Sequence, residues 1–420
     1  MVTHDVLIVG GGAAGLVAAR EARAAGASEV LCLEKMPKPG LKILVSGGGH
    51  CNLTTTLGPR EAEPFFGKEG GRFLRKALRE TPPRVIRAWM EERGVQTVEE
   101  EYEKVWPASK RAQDVLDVLL ARLSEAGAEL RTNTAAEEIL APTSDGAPWS
   151  VRVGDECLRA RSLILAVGGC SYPGMGTVGQ GYEWLRALGL RVRPPLPALV
   201  ALRSDADWVT GLAGLSLYQV ELQLREATGR IVRRRRRPLL FTHKGVSGPG
   251  PMDLSRDLER EPDRYCEVYV DLLPEHRDAE LMELLFRGRG ELASTLHKEL
   301  GLPRRLVGVL LERFALQGLP ASQVPRTGRQ RLVHELKGMK IPIQGTMGFA
   351  KAEVTTGGLC LDQVDPATME VRDHPGLYVV GELLDVDGPI GGFSFWLAFS
   401  TAVLAGRAAA LPRRGQADPT

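Results

Sequence analysis

The stretch Asp5-Val-Leu-Ile-Val-Gly-Gly-Gly-Ala-Ala-Gly15 decides the fold, together with Glu34 at the end of the next apolar run. The uncharged β-formers at 6–9 predict a strand buried on both faces. An Ala-rich segment at 13–25 predicts a helix, and the run at 30–33 predicts a second strand. Strand, glycine turn, helix, strand and acid together predict a dinucleotide-binding unit, whereas the glycines alone would also suit a turn in an unrelated α/β protein.

Each glycine has its own role in such a unit. Gly10 allows the tight turn, Gly12 lets the backbone approach a pyrophosphate, and Gly15 lets the helix pack close to the strand. The first N–H groups of the helix face the phosphates, and Glu34 accepts hydrogen bonds from the hydroxyls of an unphosphorylated ribose. The residues predicted to hold this half of the ligand are Gly10, Gly12, Ala13, Ala14, Gly15, Glu34 and Lys35.

The composition is that of an ordinary globular protein of two or three domains. The chain has 420 residues, of which 43% are apolar and 25% charged, and its net charge is +2. This balance gives no reason to expect a nucleic-acid or membrane partner, and the apolar runs fall short of the roughly 20 residues of a spanning helix. The first strand begins almost at once, so we expect no signal peptide.

Two later segments repeat the pattern of a buried strand that ends in glycine. One ends in Gly168-Gly169 and the other in Gly381-Glu382. Glycine at a strand end suits backbone that passes beside a bound dinucleotide, and the second strand end would place Glu382 over the middle of that ligand. Together with the first unit, these strand ends provide more contacts than NAD requires. FAD is long enough to reach all of them.

The segment Lys42-Ile-Leu-Val-Ser-Gly-Gly-Gly-His-Cys-Asn52 adds three consecutive glycines beside polar side chains. Such a run predicts backbone very close to something flat or phosphorylated. The residues added here to the predicted FAD site are Lys42, Ser46, Gly47, Gly48, Gly49 and Asn52.

Gly391, Gly392 and Phe393 precede an Ala-rich helix predicted at 398–410. Their N–H groups and the helix dipole would stabilise negative charge at the flavin N1/O2 edge on reduction, unless they form a plain helix-start loop. Ala136 resembles the position in related flavoproteins whose backbone meets the adenine edge, with an ordinary strand residue as the alternative.

The predicted FAD domain is split along the chain. Its first part covers residues 1–195, an inserted domain covers 196–345, and its last part covers 346–412, followed by a tail at 413–420. The inserted domain is predicted to be β-rich at about 196–275 and helical at about 276–340. The other elements predicted are helices within 71–94 and at 111–126, a strand pair joined by a turn at 130–139, and a hairpin at 149–158.

With these motifs in place, the chain resembles bacterial flavoproteins labelled BaiN/RdsA-type NAD(P)/FAD-dependent oxidoreductases or aminoacetone-oxidase-family FAD-binding enzymes. The resemblance spans essentially the whole chain. It implies an α/β fold, with a glutathione-reductase-type FAD-binding Rossmann domain interrupted by an inserted β-barrel-like domain with a helical subdomain. The motifs that carry it lie at 6–15, 42–52, 106–110, 165–173, 241–249, 353–358 and 381–393.

Two positions depart from the family's usual motifs. His50 stands where these proteins usually have arginine, and Phe393-Ser394 stands where they usually have Tyr-Asn. Both changes remove polar groups near the predicted flavin, so the orientation and the identity of the substrate stay open.

The catalytic residues also stay open, because flavin hydride chemistry needs no nucleophile. Cys51 is either a stabilised thiolate or a small inert packing residue, and His50 is either a proton donor or a filler of the loop. Asp387 is either an acid/base or a residue that pins its own turn. His243, in the inserted domain, either faces the flavin or lies in a surface turn.

Three further patterns limit the function. None of the six cysteines forms a Cys-x-x-Cys pair, which favours a reducing cytoplasm and argues against a disulfide-reductase type of flavoenzyme. The seven histidines show no metal-ligand spacing, so we expect no metal. The five arginines at 233–237 predict a charged hairpin face more readily than a nucleic-acid site, and the glycines at 174–179 lack a strand that leads directly into them.

The sequence therefore predicts a cytoplasmic FAD-dependent oxidoreductase acting on a small molecule, with no membrane. The resemblance implies reduction by NAD(P)H and hydride transfer from flavin N5 to an electron-poor double bond, as in bile-acid-type reductases of the family. One alternative is an oxidase of a small amine that uses oxygen, and another is a non-enzymatic or RNA-linked flavoprotein. The substrate and the oligomeric state are not predicted.

Overall fold

A computed structural model describes residues 3–144, 146–260, 267–287 and 290–412. The chain forms two compact units, of which unit 1 consists of residues 1–197 and 349–420, and unit 2 of residues 198–348. The borders that the sequence analysis placed at 195/196 and 345/346 lie two and three residues before those of the two units. The tail predicted at 413–420 lies outside the described residues.

The elements up to the end of the first part of unit 1 are β1 (Thr3–Val9), α1 (Ala13–Ala24), β2 (Val30–Leu33), α2 (Leu41–Val45), β3 (Thr54–Thr55), α3 (Pro59–Ala62), α4 (Gly67–Glu80), α5 (Pro83–Glu91), β4 (Thr97–Glu100), β5 (Lys104–Pro107), α6 (Ala112–Ala126), β6 (Glu129–Arg131), β7 (Glu138–Leu140), β8 (Trp149–Val153), β9 (Glu156–Leu165), α7 (Gln180–Ala187) and β10 (Val192–Ala198). Those of unit 2 are β11 (Leu202–Arg203), α8 (Asp207–Thr210), β12 (Ser216–Leu217), β13 (Glu221–Arg225), β14 (Ile231–Arg235), β15 (Leu239–Thr242), β16 (Gly245–Ser247), α9 (Pro249–Arg260), β17 (Glu267–Asp271), α10 (Asp278–Phe286), α11 (Leu292–Ser294), α12 (Arg304–Arg313), α13 (Arg326–Lys337), β18 (Met339–Ile341) and β19 (Gly345–Thr346). Unit 1 closes with β20 (Val354–Leu359), β21 (Leu377–Val379) and α14 (Phe393–Ala410).

The core of unit 1 is a mainly parallel sheet. Its parallel part has the order β6-β2-β1-β9, with β21 also paired to β9, and β8 and β7 extend the other side of β9 in antiparallel pairs. Residues 6–9 of β1 are buried, as a strand covered on both faces requires. This is the Rossmann-type α/β architecture that the sequence predicted.

Helix α14 is the last element of the sheet's helical cover and packs against α1. Gly406 makes the approach close, because a methyl carbon on it would lie 2.5 Å from the carbonyl oxygen of Ala18. Among the described residues, α14 is the one helix long and apolar enough by composition to cross a membrane, and the sequence analysis had expected no such run. Since 72% of it is buried inside the protein, its apolar composition suits a core helix equally well.

One sequence prediction about strand pairing was wrong. The strands near 130 and 139 form no hairpin, because β6 pairs with β2 and β7 pairs with β8. Strand propensity indicates that a segment is extended but does not identify its partner. The segment predicted as β-rich at 196–275 contains the strands β11 to β17 together with the helices α8 and α9.

Unit 2 has an apolar core of its own, to which its strands and helices both contribute. Its strands form two antiparallel sheets, with the orders β12-β15-β16-β11-β19 and β14-β13-β17-β18. Helices α10 to α13 follow within the segment that was predicted to be helical.

The arginine run at 233–237 lies on and after β14, where acidic side chains surround it. Arg233 binds the carboxylate of Asp257 through two nitrogens at 3.1 and 2.8 Å, and Arg234 binds Glu221 at 2.8 Å. Arg235 and Arg236 form ion pairs with Asp253 and Glu275. This pairing is that of a charged hairpin face.

Candidate functional site

The carboxyl ends of four parallel strands lie side by side at one edge of the unit 1 sheet. Leu33, Val9, Leu165 and Val379, at the ends of β2, β1, β9 and β21, are level in register. In an open α/β sheet, ligands bind in the crevice outside these ends. The next residues along the four strands include Glu34, Gly10, Gly168-Gly169 and Gly381-Glu382, so the structure brings together sites predicted from distant parts of the sequence.

The first glycine turn has the geometry that its sequence predicts. Gly10 has φ of +107°, and a methyl carbon on Gly15 would lie 1.7 Å from the carbonyl oxygen of Gly10. A methyl carbon on Gly12 would meet no atom within 4 Å. Helix α1 begins directly after Gly12, so its unpaired first N–H groups and positive dipole end face an open space suited to a pyrophosphate.

Glu34 holds the glycine turn in place. Its carboxylate accepts hydrogen bonds from the N–H groups of Gly11 at 2.9 Å and Met36 at 2.8 Å. Burial raises the pKa of this carboxyl, and the two N–H groups partly offset that effect. Each carboxylate oxygen can accept a further bond, so the residue still suits a ribose hydroxyl.

The region next to Glu34 is covered by the segment that carries the glycines at 174–179. A methyl carbon on Gly176 would lie 3.2 Å from Cε of Lys35. Ala136 is buried, and its carbonyl accepts a hydrogen bond from the Gln180 amide at 3.2 Å. The backbone oxygen of Ala136 therefore already has one partner, which leaves its second lone pair for an adenine edge.

The triple-glycine segment adopts a conformation that side chains disfavour. Gly47, Gly48 and Gly49 have φ of +54°, +68° and +88°, all in the left-handed region. A methyl carbon on Gly47 would lie 2.8 Å from the ring of Trp106, whereas one on Gly48 would meet nothing within 4 Å. The Ser46 hydroxyl donates to a backbone carbonyl one turn earlier, so its side chain stabilises the entry to this loop.

His50 and Cys51 differ sharply in environment although they are neighbours. His50 is exposed, and its ring centroid lies 6.1 Å from that of Trp106. Cys51 is fully buried, and burial raises the pKa of its thiol to about 12, with the hydrogen bond to Ser46 acting the other way. These properties are those of a packed neutral thiol and oppose the thiolate alternative.

Asn52 connects the triple-glycine segment to the start of α14. With each atom of its amide oriented toward a complementary group, it donates to the carbonyls of Val105 at 3.2 Å and Thr54 at 3.1 Å. Its oxygen accepts from the N–H of Gly392 at 3.0 Å. The Gly392 N–H therefore has a protein partner, which leaves the remaining N–H groups of the first turn for the predicted flavin edge.

Phe393 is turned away from the polar part of the site. Its side chain is 3% exposed and packs against Phe65 and Phe66, with ring centroids 5.3 and 5.5 Å apart. Its predicted contact with the cofactor is thus restricted to its backbone at the helix start.

Glu382 lies at the centre of a polar cluster made by four segments. Its Oε2 accepts from Lys42 Nζ at 2.8 Å, and its Oε1 accepts from the Thr355 N–H at 2.8 Å and the Ser171 hydroxyl at 3.0 Å. Lys42 Nζ also donates to the Ser171 hydroxyl oxygen at 2.8 Å. We call these four residues, Lys42, Ser171, Thr355 and Glu382, the Lys42–Glu382 cluster.

The cluster lies beside two glycines predicted to contact the cofactor. A methyl carbon on Gly169 would lie 2.7 Å from Glu382 Oε1, and one on Gly381 would lie 3.5 Å from Cβ of Ala14, in the first turn of α1. Ser171 and Thr355 were not predicted as site residues. Their signal in the sequence is their position two residues after Gly169 and two before Gly357-Gly358, within motifs that carry the family resemblance.

The two remaining catalytic candidates have few features of a catalytic group. Asp387 is 4% exposed and accepts a hydrogen bond from the Thr356 hydroxyl at 2.9 Å. His243 is exposed in the turn between β15 and β16 of unit 2. Within the described ranges, no group of three or more His, Cys, Asp or Glu side chains is arranged to hold a metal ion.

The residues present fit FAD. Gly12 leaves open space at a helix start, Gly169 leaves no room for a side chain beside Glu382, and three left-handed glycines follow α2. The adenosine half would be held by Glu34 and the α1 turn, and the ribityl half by the segments around Gly169 and Gly381. Across the three strand spacings from β2 to β21, about 14 Å, this is a site for an extended dinucleotide.

The chain matches one family model and several characterised proteins over most of its length. The model of the HI0933-like protein Rossmann domain family matches residues 4–408. A ribosomal RNA dihydrouridine synthase of Escherichia coli is 30% identical over 96% of this chain and 97% of its own length. A 3-dehydro-bile acid Δ(4,6)-reductase of Clostridium scindens is 30% identical over 96% and 98%, respectively.

Solved structures show the same fold at low identity. A 3-ketosteroid-Δ4-(5α)-dehydrogenase from Rhodococcus jostii RHA1 has a TM-score of 0.55 at 16% identity and covers 98% of this chain and 97% of its own. A 3-ketosteroid Δ1-dehydrogenase from Sterolibacterium denitrificans has a TM-score of 0.54 at 14% identity, with 98% and 100% covered. With its Rossmann-type FAD-binding fold, the chain belongs to the HI0933-like family of FAD-dependent oxidoreductases.

Proposed function

We propose that this protein is a reductase that takes hydride from NAD(P)H onto FAD and passes it to a carbon–carbon double bond conjugated to a carbonyl group. The observation that carries the proposal is the alignment of Glu34, the glycine turn and Glu382 along one sheet edge. When bound, FAD supplies hydride transfer at N5. The chain's own residues bind and orient the cofactor and surround it with fixed partial charges.

The names of two kinds of relative support this substrate class. A dihydrouridine synthase produces uridine with its C5=C6 bond reduced, and that bond is conjugated to a carbonyl. A 3-dehydro-bile acid Δ(4,6)-reductase reduces double bonds of a substrate with an oxidised position 3. Reduction of a conjugated double bond is the chemistry that the two names share.

A second candidate is reduction of a uridine in RNA, because two relatives, 30% and 29% identical, carry that name. The charge of the chain offers it little support. The net charge is +2, and Arg233 to Arg236 each have an acidic partner that a phosphate would have to displace. A small-molecule substrate therefore remains the first proposal, and oxidation of a small amine by oxygen the alternative.

We place the protein in the cytoplasm. The five cysteines among the described residues, Cys32, Cys51, Cys157, Cys170 and Cys360, are all free thiols. Free thiols suit a reducing compartment.

Anaerobic stopped-flow measurement of the FAD-loaded protein tests the proposal. We expect NADH or NADPH to bleach the flavin absorbance, and a 3-oxo-Δ4 steroid or a uridine-containing RNA to restore it without oxygen. Restoration by the steroid selects the first candidate, and restoration by RNA alone selects the second. Bleaching by an amine but by neither nicotinamide would overturn both in favour of the oxidase.

His50→Arg is the informative variant for the substrate side. His50 is exposed at the end of the triple-glycine segment, and the change restores the residue that the family motif usually has. We expect the variant to keep the rate of flavin reduction by the nicotinamide and to change the KM for the acceptor, since the substitution leaves the cofactor-binding backbone intact. An equal loss in both half-reactions would show that His50 acts on the cofactor instead.

A further inference from the structure

Lys42 and Glu382 form an ion pair that two neighbouring segments hold in a fixed arrangement. The Nζ–Oε2 distance is 2.8 Å, and the side chains are 26% and 19% exposed. Ser171 bonds to both partners, at 2.8 Å from Lys42 Nζ and 3.0 Å from Glu382 Oε1, and the Thr355 N–H fixes the second carboxylate oxygen. Four contacts from four segments leave neither charge free to rotate into solvent.

The pair lies where a charge would act on the cofactor. A methyl carbon on Gly169, four residues after the end of β9, would lie 2.7 Å from Glu382 Oε1. One on Gly381 would lie 3.5 Å from Cβ of Ala14 in the first turn of α1. Lys42 lies on α2, five residues before the first glycine of the triple-glycine segment. Partly buried charges are screened much less than exposed ones, so the charges of Lys42 and Glu382 both act on neighbouring groups.

The pKa of the neighbouring Cys170 thiol depends on both charges. Burial is the main reason that the pKa of Cys170 is raised; the charge of Glu382 raises it further and that of Lys42 lowers it. The two members of the pair therefore act with opposite sign on a group beside Gly169.

We propose that the Lys42–Glu382 pair sets the reduction potential of the bound FAD, Lys42 favouring the reduced and Glu382 the oxidised cofactor. The physical reason is that two-electron reduction makes the flavin more negative, so a fixed cation stabilises the product and a fixed anion opposes it. The inference rests on the proposed function, since it concerns the reduction potential of the same cofactor. It does not depend on which hydride donor or acceptor the protein uses. Both are positioning residues, since neither is assigned a role in the transfer itself.

The test is the midpoint potential of the FAD-loaded protein, measured anaerobically by equilibration with a reference dye and a slow enzymatic reductant. We expect Lys42→Met to lower the potential and Glu382→Gln to raise it, each changing the oxidised-to-reduced ratio at fixed dye potential by about tenfold. The double variant should return close to the parent value, because it removes both charges. Lys42→Arg, which keeps the charge, should shift the potential little.

A merely structural role predicts a different result. Loss of packing or of hydrogen bonds would weaken FAD retention in both single variants and shift both potentials in one direction or not at all, and either outcome overturns the proposal. Lys337→Met breaks an ion pair of the same length, 2.8 Å, and similar burial with Asp271 in unit 2 and is the matched control, expected to leave the potential unchanged. If Lys42→Met does not retain FAD, the Glu382→Gln variant alone tests the proposal. A lowered or unchanged midpoint potential in that variant contradicts it.

The dye method also separates this inference from the proposed function. Opposite shifts of the two single variants without bleaching by NADH or NADPH would support the proposed role of the charge pair and contradict the proposed nicotinamide-dependent reductase. Bleaching by a nicotinamide without opposite shifts of the potential would support the reductase and contradict the proposed role of the charge pair.

Discussion

Gly15 has no room for a side chain, because a methyl carbon there would lie 1.7 Å from the carbonyl oxygen of Gly10. Gly15→Ala must push α1 away from β1, and both elements are in the main core. We expect the free energy of unfolding to fall by about 3 kcal/mol, the upper end of ordinary overpacking costs, in urea titrations followed by circular dichroism. The protein that still folds should retain little FAD.

Gly12→Ala is the matched control for this prediction. A methyl carbon on Gly12 would meet no protein atom within 4 Å, and its backbone is extended, which alanine tolerates. The stability of the protein without FAD should change by less than about 0.5 kcal/mol, while FAD binding weakens because the methyl group occupies the approach of the pyrophosphate. Unchanged FAD affinity would place the pyrophosphate elsewhere.

The thiol of Cys51 should be inert. It is fully buried, and burial raises its pKa to about 12, so almost no thiolate is present at pH 8, and reagents react with the thiolate. Iodoacetamide at pH 8, read out by peptide mass spectrometry, should therefore label the exposed Cys157 and spare Cys51. Both should be labelled in denaturant, and rapid labelling of native Cys51 would reopen the thiolate alternative.

At the scale of elements, Asn52 is what joins the start of α14 to the small sheet of β3 and β5. Its amide pairs with two strand carbonyls and with the N–H of Gly392. Asn52→Leu keeps the approximate volume but leaves the Gly392 N–H without this partner, at a cost of about 1–3 kcal/mol for an enclosed group. The Val105 carbonyl loses one of its bonds but still accepts from the Leu53 N–H at 2.8 Å. We expect a loss of about 3 kcal/mol in urea unfolding and a shifted visible spectrum of bound FAD, since the helix start moves.

Asn52→Asp separates the two functions of that amide. The carboxylate can still accept from the Gly392 N–H, where the positive end of α14 favours a negative charge, but it cannot donate to the carbonyls of Val105 and Thr54. We expect a smaller change in the flavin spectrum than with leucine, alongside a clear loss of stability. Equal spectra for the two variants would show that α14 is held by other contacts.

Elements whose form follows from local sterics could be predicted from the sequence, and their partners could not. The glycine turn at 10–15 and the left-handed run at 47–49 are readable because only glycine fits there. The strands near 130 and 139 were recognised, but which strands they pair with depends on chain segments elsewhere in the sheet. In the same way, Glu382 was predicted in the site, whereas its bonds to Lys42 and Ser171 required the fold.

At the scale of the whole molecule, the long ordered motifs were sufficient to predict the cofactor class and a split FAD domain. They do not fix the substrate, because its identity depends on side chains such as His50 at positions where this chain departs from the family's usual motif. The predicted FAD-binding residues nevertheless all lie in unit 1. Unit 2 has a separate apolar core.

FAD should therefore stabilise the two units unequally. Proteins with more than one core often unfold in more than one step, and a ligand stabilises the part that binds it by about 2.7 kcal/mol at 100 times its dissociation constant. We expect calorimetry of the FAD-free protein to show two overlapping transitions, of which added FAD raises one. The Lys337→Met change in unit 2 removes a partly buried ion pair with Asp271 and should lower the other transition while leaving the FAD-dependent rise intact. A single transition that FAD raises as a whole would show that the two cores unfold as one cooperative system.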